Sequence, residues 1–87
     1  MRQVVYSKQF LKEAAKLPTN IQKKLDALLA ILAEDPFHTL LHSKPLSGDL
    51  SFAYSFRITR DWRVLFKLEN ERTIQLLKVK HRKDNYR

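Results

Sequence analysis

Apolar residues recur along the chain in two periods, and the change from one to the other divides it near its middle. Residues 2–6, RQVVY, are short and β-prone and predict a first strand. Ser7 is a favourable N-cap, and Phe10, Leu11, Ala14, Ala15 and Leu17 fall close to one face at helical spacing. They predict a helix that ends at Leu17-Pro18-Thr19. Ile21, Leu25, Leu28, Leu29 and Leu32 then form an amphipathic stripe in a second helix, from Pro18 or Thr19 to about Glu34. Asp35-Pro36 ends it, because the residue before a proline is pushed out of the α region. The two helices form a hairpin whose stripes face a common sheet.

Residues 37–52, FHTLLHSKPLSGDLSF, break the helical period and read as a mostly irregular connection. Period two follows. In residues 53–59 Tyr54, Phe56 and Ile58 alternate with Ser55, Arg57 and Thr59; in residues 62–68 Trp62, Val64, Phe66 and Leu68 alternate with Arg63, Leu65 and Lys67. Residues 73–80, TIQLLKVK, make a last strand after the polar run Glu69-Asn70-Glu71-Arg72. The predicted order is β-α-α-β-β-β. It describes an α+β domain, an antiparallel twisted sheet with the N-terminal helix hairpin packed on one face.

Register decides what the other face carries, since a slip of one residue turns a whole strand over. Pairing Arg57 with Arg63 puts Tyr54, Phe56 and Ile58 on the same face as Val64 and Phe66. A hairpin turning on Asn70-Glu71 pairs Val64 with Leu77 and Trp62 with Val79, and sets Arg63 opposite Lys78. The face turned away from the helices then carries Ser55, Arg57, Arg63, Leu65, Lys67, Leu76, Lys78 and Lys80. Like charges facing each other are destabilising, and an anion between them relieves the repulsion. The sequence therefore predicts a basic surface built for an anion.

Composition narrows the partners. The 87 residues make one domain, spanning 1–87, and 44% hydrophobic with 30% charged residues is ordinary for a globular chain. Cysteine is absent, which excludes disulfides and thiolate metal sites and fits a cytoplasmic location. No apolar run approaches a membrane span, and MRQVVYSKQF does not read as a signal peptide. Lys and Arg number 17 against 9 Asp and Glu, a net charge of +8, which favours a polyanionic partner over a membrane. Solubility alone also accounts for part of such a charge.

The order of elements, with KPLSGDLSFAYSFRI, then DWRVLFK, then the ending HRKDNYR, resembles the RelE/ParE superfamily of type II toxin–antitoxin toxins, and within it the RelE and YafQ mRNA-cleaving branch. The resemblance spans essentially the whole chain, and its order and spacing are more specific than any single motif. It implies a RelE-like fold and a metal-independent, cofactor-free endoribonuclease that cuts mRNA in the A site of the 70S ribosome. It implies a cognate antitoxin, whose acidic segment wraps the toxin and through which alone operator DNA is contacted. RelE-type toxins place basic residues on central strands, a late Arg and a Tyr after it; here these fall on Arg57, Arg63, Arg82 and Tyr86. YafQ-type toxins rely on histidines and an aspartate. Their terminal His corresponds to His81 and their Asp to Asp61, while Lys44 and Arg57 stand where they have two further histidines. The chain mixes the two patterns.

RNA cleavage through the 2′-hydroxyl needs a group to take its proton, cations to hold the phosphorane charge, and a group to protonate the leaving 5′-oxygen. Arg57 and Arg63 suit the second task because a planar, permanently charged guanidinium matches phosphate oxygens, with Arg82 behind them. His81 is a candidate base or acid, since imidazole titrates near neutrality; capping the last strand is its structural alternative. Tyr86 is a candidate proton donor or stacking group, and Lys44 a candidate phosphate contact. Asp61 fits a catalytic carboxylate and also a turn-closing one. Lys67, Lys78, Lys80 and Arg87 are expected to bind the RNA backbone. His38 and His42 read as loop residues, and three His without Cys or spaced carboxylates give no metal-site signature. Two other functions share the expected fold: a ParE-like gyrase inhibitor without catalytic activity, and a degenerate, non-toxic homologue that binds the antitoxin.

Overall fold

The computed structural model describes residues 1–83; Asp84, Asn85, Tyr86 and Arg87 lie outside the described residues. Strand β1 (Gln3–Tyr6) leads through Ser7 into helix α1 (Lys8–Ala15), and helix α2 (Thr19–Glu34) follows after Pro18. Two short 3-10 turns, Thr39–Leu41 and Gly48–Leu50, flank strand β2 (Lys44–Pro45). Strands β3 (Tyr54–Arg57), β4 (Trp62–Asn70) and β5 (Thr73–His81) complete one sheet, in the spatial order β1-β5-β4-β3-β2. The α+β reading, the helix hairpin and the three C-terminal strands agree with expectation.

The sheet is mixed, whereas an antiparallel one was expected. β1 runs parallel to β5, pairing Val4 with Ile74 and Tyr6 with Leu76. The chain between them, both helices and then β2, β3 and β4, supplies the long connection that a parallel pair requires. The connection after α2 is also more ordered than expected, because it contributes β2, which pairs Lys44 with Ser55 and Pro45 with Tyr54.

One face of the sheet meets the helices. Leu25, Leu28 and Leu32 of α2 join Phe10, Leu17, Phe56, Ile58, Val64, Phe66, Ile74, Leu76 and Val79 in a single buried cluster, with Ile21 and Leu29 packed against it. The α2 stripe thus does what its spacing predicts. In α1 the apolar face is narrower: Phe10 is buried, but Leu11 is 53% exposed.

The β3–β4 register matches expectation, Arg57 opposite Arg63 and Phe56 opposite Val64. The β4–β5 register does not. Val64 pairs with Val79 and Trp62 with His81, and Arg63 faces Lys80 where Lys78 was expected. The turn lies one residue later than assumed, at Glu71-Arg72, and the ladder shifts twice, once between Leu68 and Asn70 and once between Leu65 and Phe66. Glu69 on β4 and Leu77 on β5 are the extra residues, and the two bulges cancel. Their effect is to turn Ile74 and Leu76 into the same core as Val79, which an unbroken ladder could not do. Leu76, expected on the far face, is fully buried in the core, and Leu77 is displaced from its expected pairing with Val64.

Ser7 holds this bulge in place. Its N–H donates to Leu76 O at 3.1 Å, its hydroxyl donates to Leu77 O at 2.8 Å, and its Oγ accepts from Phe10 N–H at 3.0 Å as the α1 N-cap. Past Ser7 no strand among the described residues flanks this edge of β5, and the Glu13 carboxylate of α1 accepts from Val79 N–H at 2.8 Å. Ser7→Ala removes a cap and leaves Leu77 O unpaired, so a loss of about 1–2 kcal/mol is expected in urea-induced unfolding.

Candidate functional site

The face turned away from the helices is assembled by register alone. Residues directly opposite one another share a face, so Arg57, Arg63 and Lys80 form one row across three strands. Lys44, Ser55, Leu65 and Lys78 form the next row across four. Lys67 lies one step further along β4, opposite Gln75. Ile58 donates its N–H to Trp62 O at 2.9 Å, so the even residues of β3 bond β4. Arg57 and Arg63 therefore form a non-hydrogen-bonded pair, the kind in which side chains approach most closely.

Leu65 and Ser55 at the centre are buried, 1% and 2% exposed, while Arg57, Arg63, Lys67, Lys78 and Lys80 around them are half-buried. Long cationic side chains lay their methylene stems over apolar surface and leave their charges at its rim. With the stems covered and the charges at the rim, the face presents adjacent cations to the solvent side of the sheet.

Few of these charges are neutralised among the described residues. Among the described residues two ion pairs form, Lys67 with Glu69 at 3.1 Å and Arg82 with Asp61 at 3.6 Å. Arg57, Arg63, Lys78, Lys80 and Lys44 have none. The Arg57 Nε is buried and has no hydrogen-bond partner among the described residues. A buried donor without an acceptor is costly to a fold, and an anion at this position would supply the acceptor.

The other expected site residues fall elsewhere. His81 pairs with Trp62 and shares the parity of Val79, which is the helix-bearing face; its ring meets the Trp62 ring edge-on at 4.7 Å. Its Nδ1 accepts from Lys83 N–H at 3.1 Å, so the imidazole also terminates β5. Asp61 sits in the β3–β4 turn, where its N–H donates to Thr59 Oγ1 and its main-chain oxygen accepts from Arg82 N–H at 2.6 Å. Arg82 is exposed and tied to that turn. Lys44, placed by β2, joins the cationic face. Tyr86 and Arg87 lie outside the described residues. Sequence reasoning missed the row-mate relation of Arg63 and Lys80, and the Leu76-Leu77 doublet, where alternation fails, was the available signal.

Among the described residues no cluster of three His, Asp or Glu is arranged to hold a metal ion, and no helix is long and apolar enough to cross a membrane. What the fold defines is a small domain with a half-buried cationic sheet face.

That fold is shared with solved toxin structures. It superposes on the archaeal RelE–RelB complex from Pyrococcus horikoshii OT3 with a TM-score of 0.79 and 24% identity, covering 97% of this chain and 98% of that one. The toxin–antitoxin complex RelBE2 from Mycobacterium tuberculosis matches with a TM-score of 0.78 and 25% identity over 93% and 98%. YafQ from E. coli strain BL21(DE3) matches with a TM-score of 0.76 and 20% identity over 93% of each chain. A comparison with curated proteins gives no match. Over residues 4–86 the chain matches the family of the ParE toxin of type II toxin–antitoxin systems, parDE, and it belongs to that family.

Proposed function

We propose that this toxin is an endoribonuclease that cuts mRNA in the ribosomal A site and is held inactive by a cognate antitoxin. The observation that carries this reading is the row Arg57, Arg63 and Lys80, three adjacent cations with no carboxylate among the described residues to neutralise them. A surface needed only for solubility gains nothing from half-burying like charges side by side. A phosphorane, with more negative charge than the phosphodiester from which it forms, gains most from such a row, and that difference is what accelerates a reaction.

In the proposed reaction the 2′-oxygen attacks phosphorus, its proton passes to a base, and the P–O5′ bond breaks as the 5′-oxygen is protonated. The products are a 2′,3′-cyclic phosphate and a 5′-hydroxyl. Arg57 and Arg63 hold the phosphorane oxygens, and Lys80, Lys78, Lys67 and Arg87 hold the flanking backbone. The proton-transfer candidates are His81, whose ring packs on Trp62 on the other side of the sheet from the row and would act only around the end of β5, and Tyr86, with Lys44 a further phosphate contact; Arg82 and Asp61 lock the end of β5 to the β3–β4 turn. The toxin–antitoxin complex RelBE2 and the RelE–RelB complex support a cognate antitoxin here, whose acidic residues suit the same face. A ribosomal substrate places the protein in the cytoplasm.

Primer extension on messages from cells expressing the protein tests this. Cuts inside codons are expected, with His81→Ala and Tyr86→Phe each lowering cleavage at least tenfold. The family match favours one other reading, a ParE-like gyrase inhibitor. Intact messages together with gyrase-dependent DNA breaks would establish it in place of the ribonuclease. Antitoxin binding with no toxicity would instead mark a degenerate homologue.

A further inference from the structure

On the helix-bearing side of the sheet, at the end of β5, lies a pocket that the proposed reaction does not use. It encloses about 190 Å3 between α1 and the β4–β5 ladder. Leu17, Val79 and the half-buried Trp62 line it with apolar surface, joined by Glu13 and by the exposed Lys16. A cavity of about 150 Å3 accepts benzene, so this one has room for a single planar ring system and not for a whole nucleotide.

Glu13 is the acceptor of the pocket. Its Oε1 accepts from Val79 N–H at 2.8 Å, and its Oε2 accepts from the Gln9 side-chain amide at 3.3 Å. An ionised carboxylate offers about four acceptor sites, so one on each oxygen remains. No ion pair among the described residues takes them up. Two acceptors side by side, next to an indole, match a base that stacks on an aromatic ring and presents two adjacent N–H donors on its Watson–Crick edge. Guanine alone of the four bases has that edge, in N1–H and the 2-amino group. Adenine and cytosine set a ring-nitrogen acceptor beside their amino group, and uracil flanks its single N–H with carbonyls. Each of these three turns a lone pair toward the carboxylate.

The place of the pocket fits an RNA strand lying on the cationic row. Arg57, Arg63 and Lys80 cross the sheet from β3 to β5. Continued by one strand spacing, about 4.8 Å, their line passes over the edge of β5, which no strand among the described residues flanks beyond Ser7. It comes down beside Val79 and Trp62, whose chain neighbours Lys80 and Arg63 belong to the row. We propose that this pocket takes up one guanine base of the bound RNA, stacked on Trp62 and held through N1–H and the 2-amino group by Glu13, with Lys16 on an adjacent phosphate. That the base belongs to a message being cut rests on the function proposed above; the preference for guanine rests on Glu13 and Trp62 alone. Glu13 also has a structural role in its bond to Val79, and glutamine preserves that bond through its amide oxygen while presenting an N–H to the base.

Trp62 is the only tryptophan of the chain, so its fluorescence reports on the pocket directly. Titrating the whole protein with guanosine 5′-monophosphate is expected to quench it saturably. Inosine 5′-monophosphate lacks the 2-amino group and is expected to bind about tenfold more weakly, the worth of one hydrogen bond to a charged acceptor. Adenosine 5′-monophosphate is expected to give no saturable quenching. All three carry the same phosphate, so contact with the cationic row does not separate them. Glu13→Gln is expected to weaken the guanosine nucleotide about tenfold with the unfolding temperature unchanged, because Val79 keeps its acceptor. Equal quenching by the adenosine nucleotide would overturn the proposal. So would undiminished affinity in Glu13→Gln, or amide shifts confined to Arg57, Arg63 and Lys80. The readout needs no cleavage. A protein that selects the guanosine nucleotide and cuts no message keeps the pocket and loses the ribonuclease reading; one that cuts messages without telling the nucleotides apart loses only the pocket.

Discussion

Arg63→Gln is expected to lower mRNA cleavage by at least a hundredfold while leaving the protein as stable as before, or more so. Arg63 is the middle member of its row, opposite Arg57 on one side and Lys80 on the other. Removing one donor to a developing oxyanion costs roughly 10²–10³ in rate. Removing one of three adjacent like charges relieves cross-strand repulsion worth about 0.2–1 kcal/mol per pair. Activity and stability therefore move in opposite directions, as expected where a fold carries strain for its function. Cleavage rates measured beside thermal unfolding check both halves. Loss of activity with an equal loss of stability would make Arg63 a structural residue. Arg63→Lys is expected to recover little, since an ammonium cannot make the two-pronged contact of a guanidinium.

Phe66→Ala is expected to destabilise the protein by about 3–5 kcal/mol. Phe66 is fully buried on β4; its ring stacks on Tyr54 at 5.7 Å and tilts against Phe56 at 5.9 Å. It lies beside the bulge at Leu77 and pairs with Leu76, so the cavity would open where the sheet is already irregular. For a chain of 87 residues the whole stability is roughly 4–13 kcal/mol. The loss is therefore a large part of it, and a strong fall in the urea midpoint should follow. A change under about 1 kcal/mol would mean that the aromatic group on β3 and β4 is not the centre of the core.

Much of this fold is written in local periodicity. The α2 stripe, the alternation in β3 and β4 and the Arg57–Arg63 pairing depend on neighbours within a few residues of one another, and each is found as the pattern predicts. What periodicity does not carry is long-range choice. Nothing in residues 2–6 says that their strand pairs parallel with β5, because that is settled by how the helix hairpin closes on the sheet. The bulges at Glu69 and Leu77 lay between the two. Ile74 and Leu76 need one parity and Val79 the other, so the break was present in the sequence, but its compensation on β4 was not. The cationic face survives the corrected register because the shift at its end of the ladder was by two residues, which preserves the face. His81 illustrates the opposite case: a conspicuous imidazole near the C-terminus, whose contact with Trp62 follows from pairing across a turn of unknown length.

The function proposed here meets its most direct test in a purified system: the protein added to 70S ribosomes carrying a defined mRNA, with the new ends mapped and their chemistry read. The account predicts a cut within the A-site codon, a 2′,3′-cyclic phosphate on the upstream fragment, and no comparable cleavage of the same RNA without ribosomes. An intact message on the ribosome, with DNA cleavage appearing when gyrase replaces it, would contradict the account.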